Sequence, residues 1–117
     1  MSKSKFVIKS IEWAQKKGFS NIKTELVDGF EKPINFTRSG DNVSFAPDMT
    51  ALNGQRKHYF HVVQKADEGK RMFTRIELFH TLAKARDSKL FLMAPMGNLK
   101  YARELSKQLP LAEVVRI

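Results

Sequence analysis

Apolar residues recur at helical spacing near the start of the chain. Between Ser4 and Lys17 they fall on a single stripe, formed by Val7, Ile8, Ile11 and Ala14. Positions three and four apart share one face of a helix, so this spacing predicts an amphipathic helix. Ser4 suits its N-cap, and Gly18 ends it.

The next part of the chain has the pattern of strands. Alternating apolar positions predict a strand over Asn21–Val27, and a second short strand is expected over Ile34–Arg38. Two further extended segments, Val43–Leu52 and Lys57–Lys65, lie on either side of Asn53-Gly54. That dipeptide is typical of a tight turn, so the two segments are predicted to form a hairpin.

The second half of the chain alternates between helices and strands. Helical spacing predicts a helix over Gly69–Arg86, and the continuous apolar run Leu90–Ala94 predicts a strand buried on both faces. A further helix begins after Asn98 and ends before Pro110, and Ala112–Ile117 is the last predicted strand. The sequence therefore predicts a single α/β domain over residues 1–117, ending in right-handed crossovers.

Composition narrows the class of protein. The 117 residues include 21 Lys and Arg against 12 Asp and Glu, a formal net charge of +9. Such an excess attracts phosphate polymers, so nucleic acid is the favoured partner. The absence of cysteine excludes disulfide scaffolds, thiolate zinc sites and cysteine nucleophiles. Without a long apolar run or a signal-peptide core, we expect a cytoplasmic protein with no membrane partner.

The predicted hairpin brings three polar side chains onto one face. If the loop covers residues 53–56, Leu52 lies opposite Lys57 and Asp48 lies opposite His61, and Lys65 points to the same side. A slip of one residue would move His61 and Lys65 to the face away from Asp48. The sequence thus predicts a carboxylate, an imidazole and an ammonium group on one surface.

This order of elements, with Pro47-Asp48 entering one strand and Lys65 ending the next, resembles the PD-(D/E)XK nuclease superfamily over nearly the whole chain. The resemblance implies a three-layer restriction-endonuclease-like core of order αβββαβαβ, with a mixed central sheet flanked by helices. It makes Asp48, Lys65 and Glu12 the candidate catalytic residues, Glu12 being similar to the first-helix glutamate of resolvase-like members. It also implies a weakly bound Mg²⁺ or Mn²⁺ and, as in other small basic members, a homodimer.

The second half of that motif is degenerate. The position two residues before Lys65, an acid in the family pattern, is Val63, and the other candidate on the same face is His61. Mg²⁺ prefers oxygen ligands whereas imidazole suits Mn²⁺ or zinc, so Asp48 and His61 are the candidate metal ligands. One carboxylate holds a metal ion weakly. The resemblance therefore favours a nucleic-acid-binding domain with a degenerate, inactive metal site, in which Lys65 contacts a phosphate.

Each candidate also has an ordinary structural interpretation. Pro47-Asp48 is a common pair at turns and strand starts. His61, between apolar neighbours, fits a buried and hydrogen-bonded histidine. Glu12 fits an ion pair with Lys9 or Lys16, one helical turn away on either side. These interpretations remain open at the level of sequence.

Basic residues favour nucleic acid independently of catalysis. We expect them to form a phosphate-binding rim around the face that carries Asp48 and Lys65. Seven residues are candidate contacts: Lys16, Lys17, Arg56, Lys57, Lys70, Arg71 and Arg75.

Two other functions remain open. An active metal-dependent nuclease would need His61 or Gln64 to complete the metal site. A basic protein-interaction module would instead use the positive charge to bind an acidic protein, and its affinity for nucleic acid would not survive physiological salt.

Overall fold

The computed structural model describes residues 3–33, 36–37, 44–64 and 70–117. Among them, three helices and seven strands follow one another as α1 (Ser4–Lys16), β1 (Ser20–Lys23), β2 (Phe36–Thr37), β3 (Ser44–Phe45), β4 (Met49–Asn53), β5 (Arg56–Val62), α2 (Lys70–Ala85), β6 (Leu90–Ala94), α3 (Leu99–Ser106) and β7 (Ala112–Arg116). The predicted helices and the central hairpin are confirmed to within a few residues. Among the described residues, none of the helices has the length and apolar content that a membrane span requires.

Five of the strands form one mixed sheet in the order β1-β4-β5-β6-β7. The first three are antiparallel neighbours, and β5, β6 and β7 run parallel to one another. β2 and β3 pair separately, so the strand predicted over Ile34–Arg38 contributes a short ribbon and does not join the main sheet. Every residue of β6 is buried, as its continuous apolar run predicted.

Helices cover both faces of the sheet. Val7 and Ile11 of α1 belong to the apolar cluster on one face. Ile76 and Phe79 of α2 join Leu105 of α3 in the cluster on the other face. The molecule is therefore an α/β structure with a mixed sheet between helices, and α2 and α3 are the crossovers that join its parallel strands.

Strand direction divides the polar residues between two ends of the sheet. β5, β6 and β7 finish at one end, here called the carboxyl edge, and Asp48 lies there because β4 runs the other way. The turn between β4 and β5 lies at the opposite end, here called the hairpin edge. Gly54 occupies a positive φ of 66° in that turn, a conformation that favours glycine.

Candidate functional site

The register of the hairpin places Asp48 beside His61. Leu52 pairs with Lys57 and Met49 with Phe60, as the sequence predicted, so the alternative slip of one residue does not occur. Asp48 and His61 follow in the same register, and His61 Nδ1 lies 3.4 Å from Asp48 Oδ2. The third member of the predicted group, Lys65, lies outside the described residues.

The carboxylate of Asp48 is held from several sides inside the protein. Its side chain is only 3% exposed, and Lys3 Nζ lies 2.9 Å from Oδ2. Arg75 Nη2 lies 3.0 Å from Oδ1, and the backbone N–H of Val62 donates to Oδ2 at 2.8 Å. A buried charge is tolerated when it is paired and hydrogen-bonded, as this one is.

Arg75 and Thr24 also hold the backbone that carries Asp48. Arg75 donates a second hydrogen bond to the carbonyl oxygen of Ala46, and its guanidinium lies 5.8 Å from the ring centre of Phe79. The hydroxyl of Thr24 donates to the carbonyl oxygen of Asp48 at 2.6 Å. The chain before β4 is thereby tied to Thr24, the residue after β1, on one side and to α2 on the other.

Opposing effects act on the pKa of Asp48. Burial alone would raise this pKa, but the neighbouring positive groups and the Val62 hydrogen bond outweigh burial and hold it below the ordinary value. Those positive groups are His61 when protonated, Lys3 and Arg75. Asp48 is therefore an ionised carboxylate that is neutralised by internal cations.

His61 is neutral despite its acidic neighbour. Burial is the main cause and, with the charges of Lys3 and Arg75, lowers its pKa to about 3, although Asp48 acts in the opposite direction. Its side chain is 1% exposed, and neither ring nitrogen has a hydrogen-bond partner among the described residues. The 3.4 Å contact with Asp48 is therefore not an ion pair at neutral pH.

The described residues do not fit a divalent metal ion. No group of three or more His, Asp or Glu side chains converges within the described part of the chain. The oxygens of Asp48 already face Lys3 and Arg75, which occupy the positions that a cation would take. Glu12 is exposed on α1, nine residues and about 13 Å of helical rise from Lys3, so it does not reach Asp48.

Four of the residues expected in a phosphate-binding rim lie away from Asp48. Arg56 and Lys57 begin β5 at the hairpin edge, and Lys16 and Lys17 lie where α1 ends, away from Lys3 and the carboxyl edge. The reason is that α1 and the β4–β5 hairpin both extend from the carboxyl edge toward the opposite end of the sheet. Residue spacing along the chain does not reveal these directions.

The other three predicted contacts lie on α2. Lys70 and Arg71 begin this helix, at the carboxyl edge. Arg75 lies against Asp48 and is engaged inside the protein. The predicted set therefore divides between the two edges and does not form a single rim.

The hairpin edge holds cations that sequence analysis did not single out. Arg86 follows the end of α2, and Lys89 directly precedes β6. Burial and the charges of Lys23 and Arg86 lower the pKa of Lys57, which shows positive groups crowded together. A crossover helix ends near the start of the parallel strand that follows it. The predicted order of α2 and β6 could therefore have placed Arg86 and Lys89 at the hairpin edge.

Comparison of the chain with models of protein families, with curated proteins and with solved structures gives no match. We therefore infer its function from its own residues.

Proposed function

We propose that this chain is a nucleic-acid-binding domain of restriction-endonuclease-like fold in which the Asp48 site stabilises the fold and does not cut. The order of elements supports the proposal. A first helix precedes three antiparallel strands of the main sheet, and a crossover helix leads to a parallel strand, followed by one more helix and strand. This order is similar to the αβββαβ core of the PD-(D/E)XK superfamily, with the extra helix and strand found in many members.

The observation that carries the proposal is the difference in charge compensation between the two edges. At the carboxyl edge, Asp48 is buried and paired with Lys3 and Arg75. At the hairpin edge, Arg56 and Lys89 pair only with exposed carboxylates. No carboxylate within the described ranges pairs with Lys16 or Lys57. Cations left unpaired at a surface are available for an external anion.

Phosphate contact is the chemistry that such an edge supports. Exposed lysines and arginines bind the backbone of a nucleic acid through charge, without selecting a base sequence, and binding weakens as salt displaces them. With a net charge of +9, the chain also attracts a phosphate polymer from a distance. We therefore expect sequence-independent binding with a steep salt dependence.

Fluorescence anisotropy with a labelled oligonucleotide at several salt concentrations tests this binding. The variant Lys16→Ala/Lys57→Ala removes two cations from the hairpin edge. We expect it to weaken binding on the order of tenfold and to reduce the slope of log affinity against log salt by about one for each phosphate-binding cation removed. The matched control Lys100→Ala/Arg103→Ala removes two exposed cations from α3, and should have the smaller effect.

Two outcomes of that titration would overturn the proposal. Equal losses of affinity in the two double variants would show that the hairpin edge has no special role. Absence of wild-type binding at physiological salt would favour the alternative of a module that recognises an acidic protein.

Cleavage is tested separately with plasmid and single-stranded DNA in Mg²⁺ and in Mn²⁺. We expect no cleavage, because the carboxylate of Asp48 is committed to internal cations. Cleavage that disappears in Asp48→Asn, a variant that keeps the shape of the side chain, would establish the alternative of an active metal-dependent nuclease.

A further inference from the structure

A surface pocket of about 400 Å³ opens at the hairpin edge. Its lining residues come from four parts of the chain: Phe19, Asn53, Arg56, His58, Lys89 and Phe91. This volume lies within the range of roughly 300 to 1,000 Å³ that small-molecule sites occupy. The pocket is at the opposite end of β5 from Val62 and Asp48, so it is separate from the Asp48 site.

Three rings form the inner wall of the pocket. The ring centre of Phe19 lies 5.6 Å from that of His58 and 5.8 Å from that of Phe91, and both pairs meet edge to face. Burial and the charges of Lys89 and Arg56 lower the pKa of His58, so its ring is neutral at physiological pH. The wall is thus uncharged and aromatic. Phe19 is its more exposed part, since His58 and Phe91 are only 7% and 5% exposed.

Hydrogen-bonding groups accompany the aromatic wall. His58 Nδ1 accepts the backbone N–H of Lys89 at 3.0 Å, so the neutral ring carries its proton on Nε2. Asn53, exposed at the end of β4, offers an amide that both donates and accepts. A ligand with polar edges on a flat ring would find partners here.

Two cations lie at the mouth of the pocket, each in an ion pair with an exposed carboxylate. Arg56 Nη2 lies 3.1 Å from Asp87, and these side chains are 63% and 84% exposed. Lys89 Nζ lies 3.2 Å from Glu113, again with both side chains exposed. Exposed pairs of this kind contribute little to stability, so a phosphate can replace either carboxylate at small cost.

We propose that this pocket binds one unpaired nucleotide, with its base against Phe19, His58 and Phe91 and its phosphate between Arg56 and Lys89. The inference deepens the proposed function and rests on it, because it specifies what the hairpin edge recognises. A base inside a duplex cannot enter such a pocket, whereas an unstacked base can lie against aromatic rings. The nucleotide can come from a single strand or from the free nucleotide pool.

The protein contains its own reporter for this pocket. Trp13 is the one tryptophan of the chain. Its ring centre lies 5.3 Å from that of Phe91 and 5.8 Å from that of Phe19, immediately behind the aromatic wall. Binding of a base should therefore change the fluorescence of Trp13.

The experiment titrates the full chain with a nucleoside monophosphate, with inorganic phosphate, with a single-stranded oligonucleotide and with the matching blunt duplex, following Trp13 fluorescence and anisotropy. The pocket variant is Arg56→Ala/Lys89→Ala. Its matched control is Lys16→Ala/Lys57→Ala, which removes the same charge from the same edge without changing the pocket lining. Phe19→Leu reduces the aromatic wall and keeps its apolar character.

Fluorescence change with the monophosphate or with the single strand supports the inference, and which of the two produces it identifies the source of the nucleotide. We expect the pocket variant to weaken that binding on the order of tenfold more than its control, and Phe19→Leu to weaken it by a factor of several. Inorganic phosphate alone should leave the fluorescence unchanged.

The inference is overturned if single strand and duplex bind equally and the two double variants lose the same affinity, a result that leaves the proposed function standing. It is also overturned if the monophosphate and the single strand both leave Trp13 fluorescence unchanged. Binding of the monophosphate without binding of either polymer would instead overturn the proposed function and support the pocket.

Discussion

Lysine and arginine side chains lie at both edges of the sheet, but they differ in solvent exposure and in their partners. At the carboxyl edge, Lys3 and Arg75 are 19% and 28% exposed and converge on a carboxylate that is almost fully buried. At the hairpin edge, Arg56 is 63% exposed and meets an acid that is more exposed still. The buried charges around Asp48 depend on one another because they have lost water. The charges at the hairpin edge are screened by solvent.

This difference predicts that the charges at the carboxyl edge stabilise the fold and that those at the hairpin edge serve binding. Charges that are removed from water must keep their partners, so changing one member of the Asp48 group leaves the others uncompensated. Charges that stay in water can exchange partners at little cost, which is what binding to a phosphate requires. The contrast predicts large effects on stability at the carboxyl edge and small ones at the hairpin edge.

The largest effect is expected for Asp48→Ala. This change removes the partner of Lys3 and Arg75 and leaves the backbone N–H of Val62 without its acceptor. Since both cations keep some solvent contact, we expect a loss of about 2 to 3 kcal/mol in the free energy of unfolding, measured by urea denaturation.

Glu104→Ala is the matched control, because it removes an exposed carboxylate from α3. It should change the free energy of unfolding by less than about 0.5 kcal/mol. If Asp48→Ala costs no more than this control, the carboxylate does not stabilise the fold and the difference between the edges disappears.

Acidification should give an effect of similar size. The pKa of His61 is lowered from 6.5 to about 3 by folding. Between these values the unfolded chain binds a proton that the folded chain does not, so stability falls as pH decreases, by up to about 1.4 kcal/mol per pH unit. The lowered pKa of Asp48 acts in the same direction as the unfolded carboxylate becomes protonated.

Urea midpoints measured from pH 7 to pH 4 check this dependence. His61→Gln should flatten the curve, whereas His80→Gln, which changes a less buried histidine, should flatten it less. Equal slopes in the wild type and His61→Gln would show that His61 is protonated in the folded protein.

The smallest effect is expected for Lys57→Met at the hairpin edge. Burial and the charges of Lys23 and Arg86 disfavour the charged form of Lys57. Removing that charge should leave the free energy of unfolding within about 0.5 kcal/mol of the wild type, with no loss of stability at low salt. A clear loss in thermal denaturation at low salt would mean that Lys57 is a structural cation like Arg75.

The hairpin was predictable because its information is local. Asn53-Gly54 sets the turn, and the turn sets which residues face one another, so the register reaches Asp48 and His61 without any distant contact. The buried strand Leu90–Ala94 was predictable for a similar reason, since a strand with both faces covered needs apolar side chains throughout.

The partners of Asp48 were not predictable. Lys3 and Arg75 come from opposite faces of the sheet and from segments far away along the chain, and no spacing rule connects them to Asp48. Arg75 was therefore predicted as a contact for nucleic acid. The pocket was missed because its lining comes from separate segments that only the assembled sheet brings together.

Local patterns along the chain are enough to predict the class of fold, most of the elements and the pairing of Asp48 with His61. These follow from alternation, helical spacing and turn chemistry, which act between residues close along the chain. Which charges lose water and which keep it is set by the assembled fold and by no local pattern. Solvent exposure of each charge depends on how the helices pack on the sheet. It distinguishes the cations that hold Asp48 from those that remain available at the hairpin edge.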